Sequence, residues 1–500
     1  MTNSINIAFA FKDLARQFPN REAIIAEDIT ITYANLWRVI ERFAAKMQSK
    51  GVGRRSVVGI DTTDMIVSVA SIFALSILGA SYILIDRDFL VGGRQGITHF
   101  FRSPEREGIV GLAFDTMDET WSPKFPCDVS TLIDEPGFSD PRDTCWILGS
   151  SGTTGRPKFV SIDQETVWKR ISVVKLDYPQ GQTRIFLIFG CNTRPFGIRA
   201  ASILLSGNTI IDSHDVEFLQ AHGVNLVCGS PKQLAVWLGD REISPKISRL
   251  QASGSKLTER LGRKLLQSFD IVEDVYGSSE TIAAYINKMQ LVAGEIECRG
   301  GPVESDVEIL DSEGNLSPIG QPGAIRIRNK HMAQAYDGLA EESAKRFKAG
   351  WFYPGDLAKW EPNGVLRILG RDDDVVNLGG MKFNLSDLDA SMTASPLVNS
   401  ACCFVDPLTP NSSQLSACLQ PIYGASAQDA ARSAWDHCAQ AFGDGSAPRS
   451  ILVVQEVLLT QDGVPRRKAN QAFFASAVGN VDGRSQEKAV FQFQATPNAK

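Results

Sequence analysis

The chain has 500 residues, 43% of them hydrophobic and 22% charged, which is enough apolar material for a packed core and for more than one folding unit. A formal net charge of −6 and scattered Lys and Arg provide no basic patch to neutralise a run of phosphates, which argues against nucleic acid as a partner. Nine cysteines without C-x-x-C spacing fit neither a disulfide framework nor a zinc site, and suit a reduced, cytoplasmic setting.

Residues 1–11 lack both a basic n-region and a long apolar core, so no signal peptide is expected. Residues 65–85 run without a charge for about the length of a membrane span. Ser68, Ser71 and Ser76 interrupt that surface, Gly79 offers a helix C-cap, and Tyr82-Ile83-Leu84-Ile85 reads as a buried strand. The expectation is therefore a core helix followed by a strand, with no membrane span.

Short apolar runs alternate with helical patterns through most of the chain: Val57-Val58-Gly59-Ile60, Thr209-Ile210-Ile211, Asn225 to Cys228 and Ile271 to Val275. This predicts an α/β architecture with largely parallel sheets. From Asp306 the pattern changes to strands and hairpins, with a turn from Asp311 to Gly314, and predicts a small barrel-like part. Arg371-Asp372-Asp373-Asp374 is charged and lacks apolar periodicity, which places a boundary there. The expected layout is a large domain over 1–370, a link at 371–374, a small α+β domain over 375–480 and a polar, disordered tail over 481–500.

Three segments carry chemistry. A strand at Trp146-Ile147-Leu148 leads into Ser150-Ser151-Gly152-Thr153-Thr154-Gly155-Arg156-Pro157-Lys158. Its glycines let the main chain approach an anion while hydroxyls and backbone N–H groups donate to it, so it reads as a phosphate cradle without Walker spacing. A flexible Ser/Gly loop is the alternative on composition alone. Tyr276-Gly277-Ser278-Ser279-Glu280 follows an apolar strand: a tyrosine can stack on a purine, serines can donate to phosphate, and a carboxylate can hold Mg²⁺ beside ATP oxygens. In Tyr353-Pro354-Gly355-Asp356 the aspartate follows a Pro-Gly turn, where its two oxygens can accept both ribose hydroxyls.

These segments, in this order, resemble the adenylate-forming superfamily of acyl- and aryl-CoA synthetases, peptide-synthetase adenylation domains and luciferases. The resemblance runs from about Thr32 to about Arg467. It implies a large N-terminal domain of two α/β subdomains plus the small β-barrel-like part, followed by a small mobile C-terminal domain. It also implies ATP and Mg²⁺ as cofactors, with CoA a further candidate. Ser150 to Gly155 and Lys158 would handle phosphates, Tyr276, Gly277 and Ser278 adenine, Ser279 and Glu280 catalysis and magnesium, and Asp356 and Arg371 the ribose. Asp373 would be the pivot about which the small domain rotates, and Leu378-Gly379-Gly380-Met381-Lys382 the loop that swings in for transfer. Ser253, Gly254 and Ser255 resemble the wall between substrate and adenine.

Two departures stand out. The family's C-terminal lysine slot falls on Val464, so a cation worth a few kcal/mol to developing charge is missing, unless Arg466, Arg467 or Lys468 reaches in. Arg194, in Thr193-Arg194-Pro195-Phe196-Gly197, stands where amino-acid-activating relatives carry an aspartate. A cation there disfavours an ammonium-bearing substrate and suits an acid or a phosphate-bearing acceptor, a surface arginine being the alternative; Arg194 and Gly197 are substrate-side candidates, and separately an aromatic acid is expected. No Gly-Gly-x-Ser carrier site follows, so any carrier is expected to be a separate protein. The sequence thus predicts adenylation of a carboxylic acid and acyl transfer to CoA, a carrier thiol or an amine. The alternative is a nucleotide- or acyl-adenylate-binding partner protein impaired through Val464.

Overall fold

The computed structural model describes residues 6–84, 96–107, 113–124, 137–138, 140–150, 158–191, 193–378, 381–409, 414–459, 463–479 and 490–493. The near-continuous apolar runs of the N-terminal two-thirds form strands buried on both faces, as parallel sheets require. In a nine-stranded sheet, Phe269–Ser278, Ile247–Ser253, Leu226–Gly229, Arg184–Leu187, Thr209–Asp212 and Glu22–Ala26 lie parallel in that spatial order. Antiparallel strands close its two edges. A six-stranded sheet is parallel through Val57–Asp61 and Ser81–Leu84 to Thr144–Ser150. It ends in an antiparallel pairing of Thr144–Ser150 with Lys158–Asp163.

The described part of the uncharged stretch, residues 65–84, is a helix and a strand, as expected. Met65–Leu78 starts at Asp64, whose carboxylate accepts the Val67 N–H at 3.0 Å, and stops at Gly79 in the left-handed region, φ 67°. Every residue of this helix is buried, so its apolar character serves the protein core. Among the described residues no helix is long and apolar enough to cross a membrane.

From Asp306 onward the chain forms a branched antiparallel sheet in which Gly323–Arg328 pairs with Asp306–Leu310, Trp351–Phe352 and Asp356–Trp360. The hairpin Asp356–Trp360/Leu366–Arg371 completes it and delivers the chain to the 3-10 turn Asp372–Asp374. The hydrophobic clusters change over at this point. Leu366 closes the last cluster of the larger part, and a new one begins at Leu385, built on Leu388, Met392, Trp435 and Ile451.

One expectation changes. The tail read as polar and disordered contributes a strand, Val490–Gln492, which pairs antiparallel with Ser450–Val453, and Phe493 stacks on Trp435 at 5.4 Å. Val490, Phe491 and Phe493 are the apolar residues that satisfy this sheet edge; residues 480–489 and 494–500 lie outside the described residues.

Candidate active site

The strand Phe269–Ser278 is an outermost strand of the parallel run in the nine-stranded sheet, and it ends at a cleft between the two parts of the chain, with Tyr276, Gly277, Ser278, Ser279 and Glu280 all lining it. Tyr276 donates its hydroxyl to Asp356 Oδ2 at 2.7 Å. Asp356 sits opposite Arg371 in its hairpin, and Arg371 Nη1 lies 3.1 Å from Asp356 Oδ1. Hairpin register therefore brings the ribose candidates to the tyrosine. Arg371 Nε is buried without a partner, which leaves this corner a donor to spare. Burial, with the Asp356 charge adding to it, pushes the Tyr276 hydroxyl well above its ordinary pKa, so it stays protonated and donates.

Backbone geometry shapes the same corner. The pairing with Ile282–Val292 slips register between Tyr276 and Gly277, and a Cβ on Gly277 would stand 2.0 Å from the Ile282 carbonyl oxygen, so only glycine allows this approach. Ile282 itself takes φ 53°, a conformation that a β-branched residue adopts only under tertiary constraint, at about 1–3 kcal/mol. The turn carrying Ser279 and Glu280 is thus bounded by a close contact and a strained residue.

Glu280 is 5% exposed, and three residues fix it. Tyr336 donates to Glu280 Oε1 at 2.9 Å. The Glu280 carbonyl accepts the Ala333 N–H at 2.7 Å and Arg170 Nη2 at 2.9 Å. Arg170 also reaches the Ser279 carbonyl with Nη1 at 3.0 Å and the His331 carbonyl with Nε at 2.8 Å. Burial, only partly offset by Glu280, pushes its pKa down to about 10, which still leaves it charged near neutrality. Neither Arg170 nor Tyr336 was picked out from sequence. The signal for Arg170 was present: it follows Val167 by three places on the buried stripe of Gln164–Lys175, where a charge needs a reason.

Of the phosphate loop, residues 151–157 and the Ser150 side chain lie outside the described residues, which takes Ser151, Gly152, Thr153, Thr154 and Gly155 out of view. The flanking strands form the expected hairpin, Ser150 pairing with Lys158. Lys158 lines the cleft, 6% exposed. It is held by Glu342 Oε2 at 2.8 Å and lies 5.1 Å from the centre of the Tyr336 ring. Lys158 and Lys345 hold the Glu342 carboxyl down at about 2.

Ser253 ends the strand Ile247–Ser253, and Gly254, at φ 99°, and Ser255 follow along the cleft. Gly197 is buried inside the helix Arg194–Leu204. Arg194 begins that helix; its side chain lies outside the described residues.

On the other side, Asp373 is 3.9 Å from Arg346. The pair Val375–Leu378/Met381–Asn384 forms the hairpin that carries residues 379–380, themselves outside the described set. Val464 is 41% exposed and lines the cleft with Arg466, Arg467 and Lys468. Arg467 is not available to replace a missing lysine: it pairs with Asp374 and Asp389, each at 2.9 Å. The Arg466 backbone N–H is bonded to the Leu458 carbonyl at 2.9 Å, and Lys468 is exposed.

Comparison with known proteins shows the family. Residues 11–337 match the family model for AMP-binding enzymes, and the chain belongs to that family, within the adenylate-forming superfamily. It is similar to surfactin synthase subunit 1 of Bacillus subtilis (strain 168), 24% identical over 95% of this chain, and to a probable CoA ligase of Humulus lupulus, 22% identical over 95%. It spans only 14% of the surfactin synthase subunit and 41% of a Streptomyces viridochromogenes tripeptide synthetase, against 98% of the CoA ligase. Among solved structures, O-succinylbenzoate coenzyme A synthetase from Bacillus subtilis, in complex with AMP, has a TM-score of 0.77 at 19% identity, covering 96% of this chain and 99% of its own. The amide bond synthetase McbA of Marinactinospora thermotolerans has a TM-score of 0.70 at 16% identity, covering 94% and 99%. The large-plus-small domain fold is shared with these proteins.

Proposed function

We propose that this protein joins a carboxylic acid to ATP, forming an acyl adenylate and pyrophosphate, and then passes the acyl group to a thiol or amine. The carrying observation is the convergence of Tyr276, Asp356, Arg371 and the buried Glu280 on one wall of the cleft. In this reading Tyr276 packs on the adenine and Asp356 and Arg371 position the ribose, while Ser253, Gly254 and Ser255 separate adenine from acid. Ser150 to Gly155 and Lys158 receive the phosphates, Ser279 donates beside them, and Arg194 and Gly197 border the acid. A carboxylate oxygen attacks the α-phosphorus as the bond to pyrophosphate breaks; the chain contributes alignment and charge.

The donors suit Mg²⁺. Among the described residues no group of three or more His, Cys, Asp or Glu converges, and Mg²⁺ commonly takes one or two carboxylates and fills its shell with waters and phosphate oxygens. Glu280, with Oε1 oriented by Tyr336, would hold it by Oε2, and the ion would neutralise charge on the phosphates. Residues 371–374 serve as the hinge, with Asp373 at the pivot and Arg346 releasing it on rotation. A CoA ligase and an amide bond synthetase among the similar proteins make CoA, a carrier thiol and an amine the acceptor classes to test.

A second reading, a protein that binds nucleotide or acyl adenylate without making it, is favoured by Val464 in the lysine slot and by the commitment of Arg467 to two carboxylates. Pyrophosphate release with a panel of acids separates the two. Release is expected, and Glu280→Ala should lower kcat/KM at least ~100-fold, about 2.7 kcal/mol. ATP binding without release from any acid would establish the second reading.

A further inference from the structure

The cleft that Ser253 and Val275 line also has a polar stretch, with Asp177, Arg199, Gln251 and Lys288, that none of the roles above uses. The helix Arg194–Leu204 places Arg199 there, 9% exposed and lining the cleft. Its guanidinium lies 5.3 Å from the centre of the Phe189 ring, and its Nε is buried with no hydrogen-bond partner. No acidic side chain among the described residues comes within 4.0 Å of it.

The surrounding charges are spoken for. Arg249 pairs with Asp177 at 2.7 Å and with Glu273 at 2.8 Å, and Lys288 pairs with Glu273 at 3.0 Å. Gln251 donates to both carboxylates, at 2.6 and 2.9 Å. Three cations, Arg199, Arg249 and Lys288, therefore face two carboxylates, and the positive charge in excess rests on the arginine without a carboxylate. The side chain bonded to the guanidinium is the Cys228 thiol, not a carboxylate; a buried guanidinium with no carboxylate on it is costly unless a counter-charge reaches it, and its fork is shaped to take a carboxylate through two parallel hydrogen bonds.

We propose that the acid bound here is a dicarboxylate: one carboxylate faces ATP beside Ser253 and Tyr276, and the second, at the far end of the molecule, pairs with Arg199. This rests on the adenylation reading for the identity of the first carboxylate, but the Arg199 contact itself requires only binding. The polar stretch makes Arg199 a specificity residue: an acid with an apolar far end would leave the guanidinium desolvated and without a carboxylate, and would be rejected for that reason.

The test uses the full chain and matched pairs of acids, aliphatic and aromatic, each a dicarboxylic acid and its distal monomethyl ester. Titration calorimetry should show at least one dicarboxylate binding at least 10-fold more tightly than its ester. Arg199→Gln should erase that preference and Arg199→Lys retain part of it. The ester comparison on the unmodified protein carries the test even if Arg199→Gln unfolds. Absence of preference for the second carboxylate in every pair, or a preference unchanged in a folded Arg199→Gln, overturns the proposal. ATP–pyrophosphate exchange with the same acids reports on adenylation separately: a dicarboxylate preference without exchange would remove the enzyme reading and leave the Arg199 site standing.

Discussion

Arg170 is a buried arginine and Arg467 a largely buried one, one on each side of the cleft, and they work by opposite means. Arg170 spends its donors on three backbone carbonyls, those of Ser279, Glu280 and His331, and no carboxylate among the described residues lies within 4.0 Å of it. Arg467 spends its donors mainly on Asp374 and Asp389. Carbonyls fix geometry while leaving the charge of Glu280 to act on a ligand. Two carboxylates fix geometry by cancelling the charge of the arginine. The proposed nucleotide wall is thus rigid and still charged, whereas the small part of the chain has neutralised a cation beside Val464.

The comparison is broken most sharply at Arg170. Arg170→Met keeps length but strands three buried acceptors, each costing about 1–3 kcal/mol, so a loss of about 4 kcal/mol in urea unfolding is expected. In whatever fraction folds, ATP affinity by calorimetry should fall too, because the turn bearing Glu280 loses its clamp. A folded variant with unchanged ATP affinity would show that Tyr336 alone holds the carboxylate.

Arg467→Ala comes next, at about 3 kcal/mol, since removing one member of a buried pair leaves its carboxylates uncompensated. The contrast predicts where the damage goes. Hydrogen exchange should quicken in the helix Leu385–Thr393, which carries Asp389, while ATP affinity stays near that of the unmodified chain. A comparable loss of ATP affinity would mean that the two sides of the cleft are not independent.

The distinction between these arginines was largely hidden in the sequence, and the reason is physical. Strands, the helix at 65–78 and the change of style at Asp306 were legible because burial on all sides demands runs of apolar residues, and the Gly79 cap marks where the helix stops. Tyr276, Glu280, Asp356 and Arg371 were legible because they lie in short motifs, and the hairpin register that joins Asp356 to Arg371 is itself local. Arg170 acts on carbonyls 109 and 161 residues away, and a carbonyl leaves no mark in a sequence. Tyr336 reaches Glu280 across 56 residues from a segment without a motif. The disordered tail was misread because three or four apolar residues are too few for a pattern and become a strand only when Ser450–Val453 offers an edge.

Asp274 extends the comparison to a half-buried acid with no arginine at all, and its expected effect is the smallest of the three. It lies on the strand Phe269–Ser278 two places before Tyr276, and Lys256, the cation acting on it, is itself paired with Asp387 at 3.0 Å. Burial pushes its pKa up from 3.8 to about 7, with Lys256 pulling only partly back. A carboxyl that ionises near 7 when folded and near 3.8 when unfolded holds its proton more tightly in the folded chain. Stability therefore falls as pH rises from about 4 to 7, and the full penalty is present above 7. The side chain retains some contact with the cleft, and solvent screening there reduces the penalty to about 2 kcal/mol. Asp274→Asn should accordingly be about 2 kcal/mol more stable than the unmodified chain at pH 8 and nearly equal to it at pH 4, read from urea midpoints across that range. A gain that did not depend on pH would assign the effect to packing and would leave Asp274 ionised in the fold, with Lys256 as a sufficient partner.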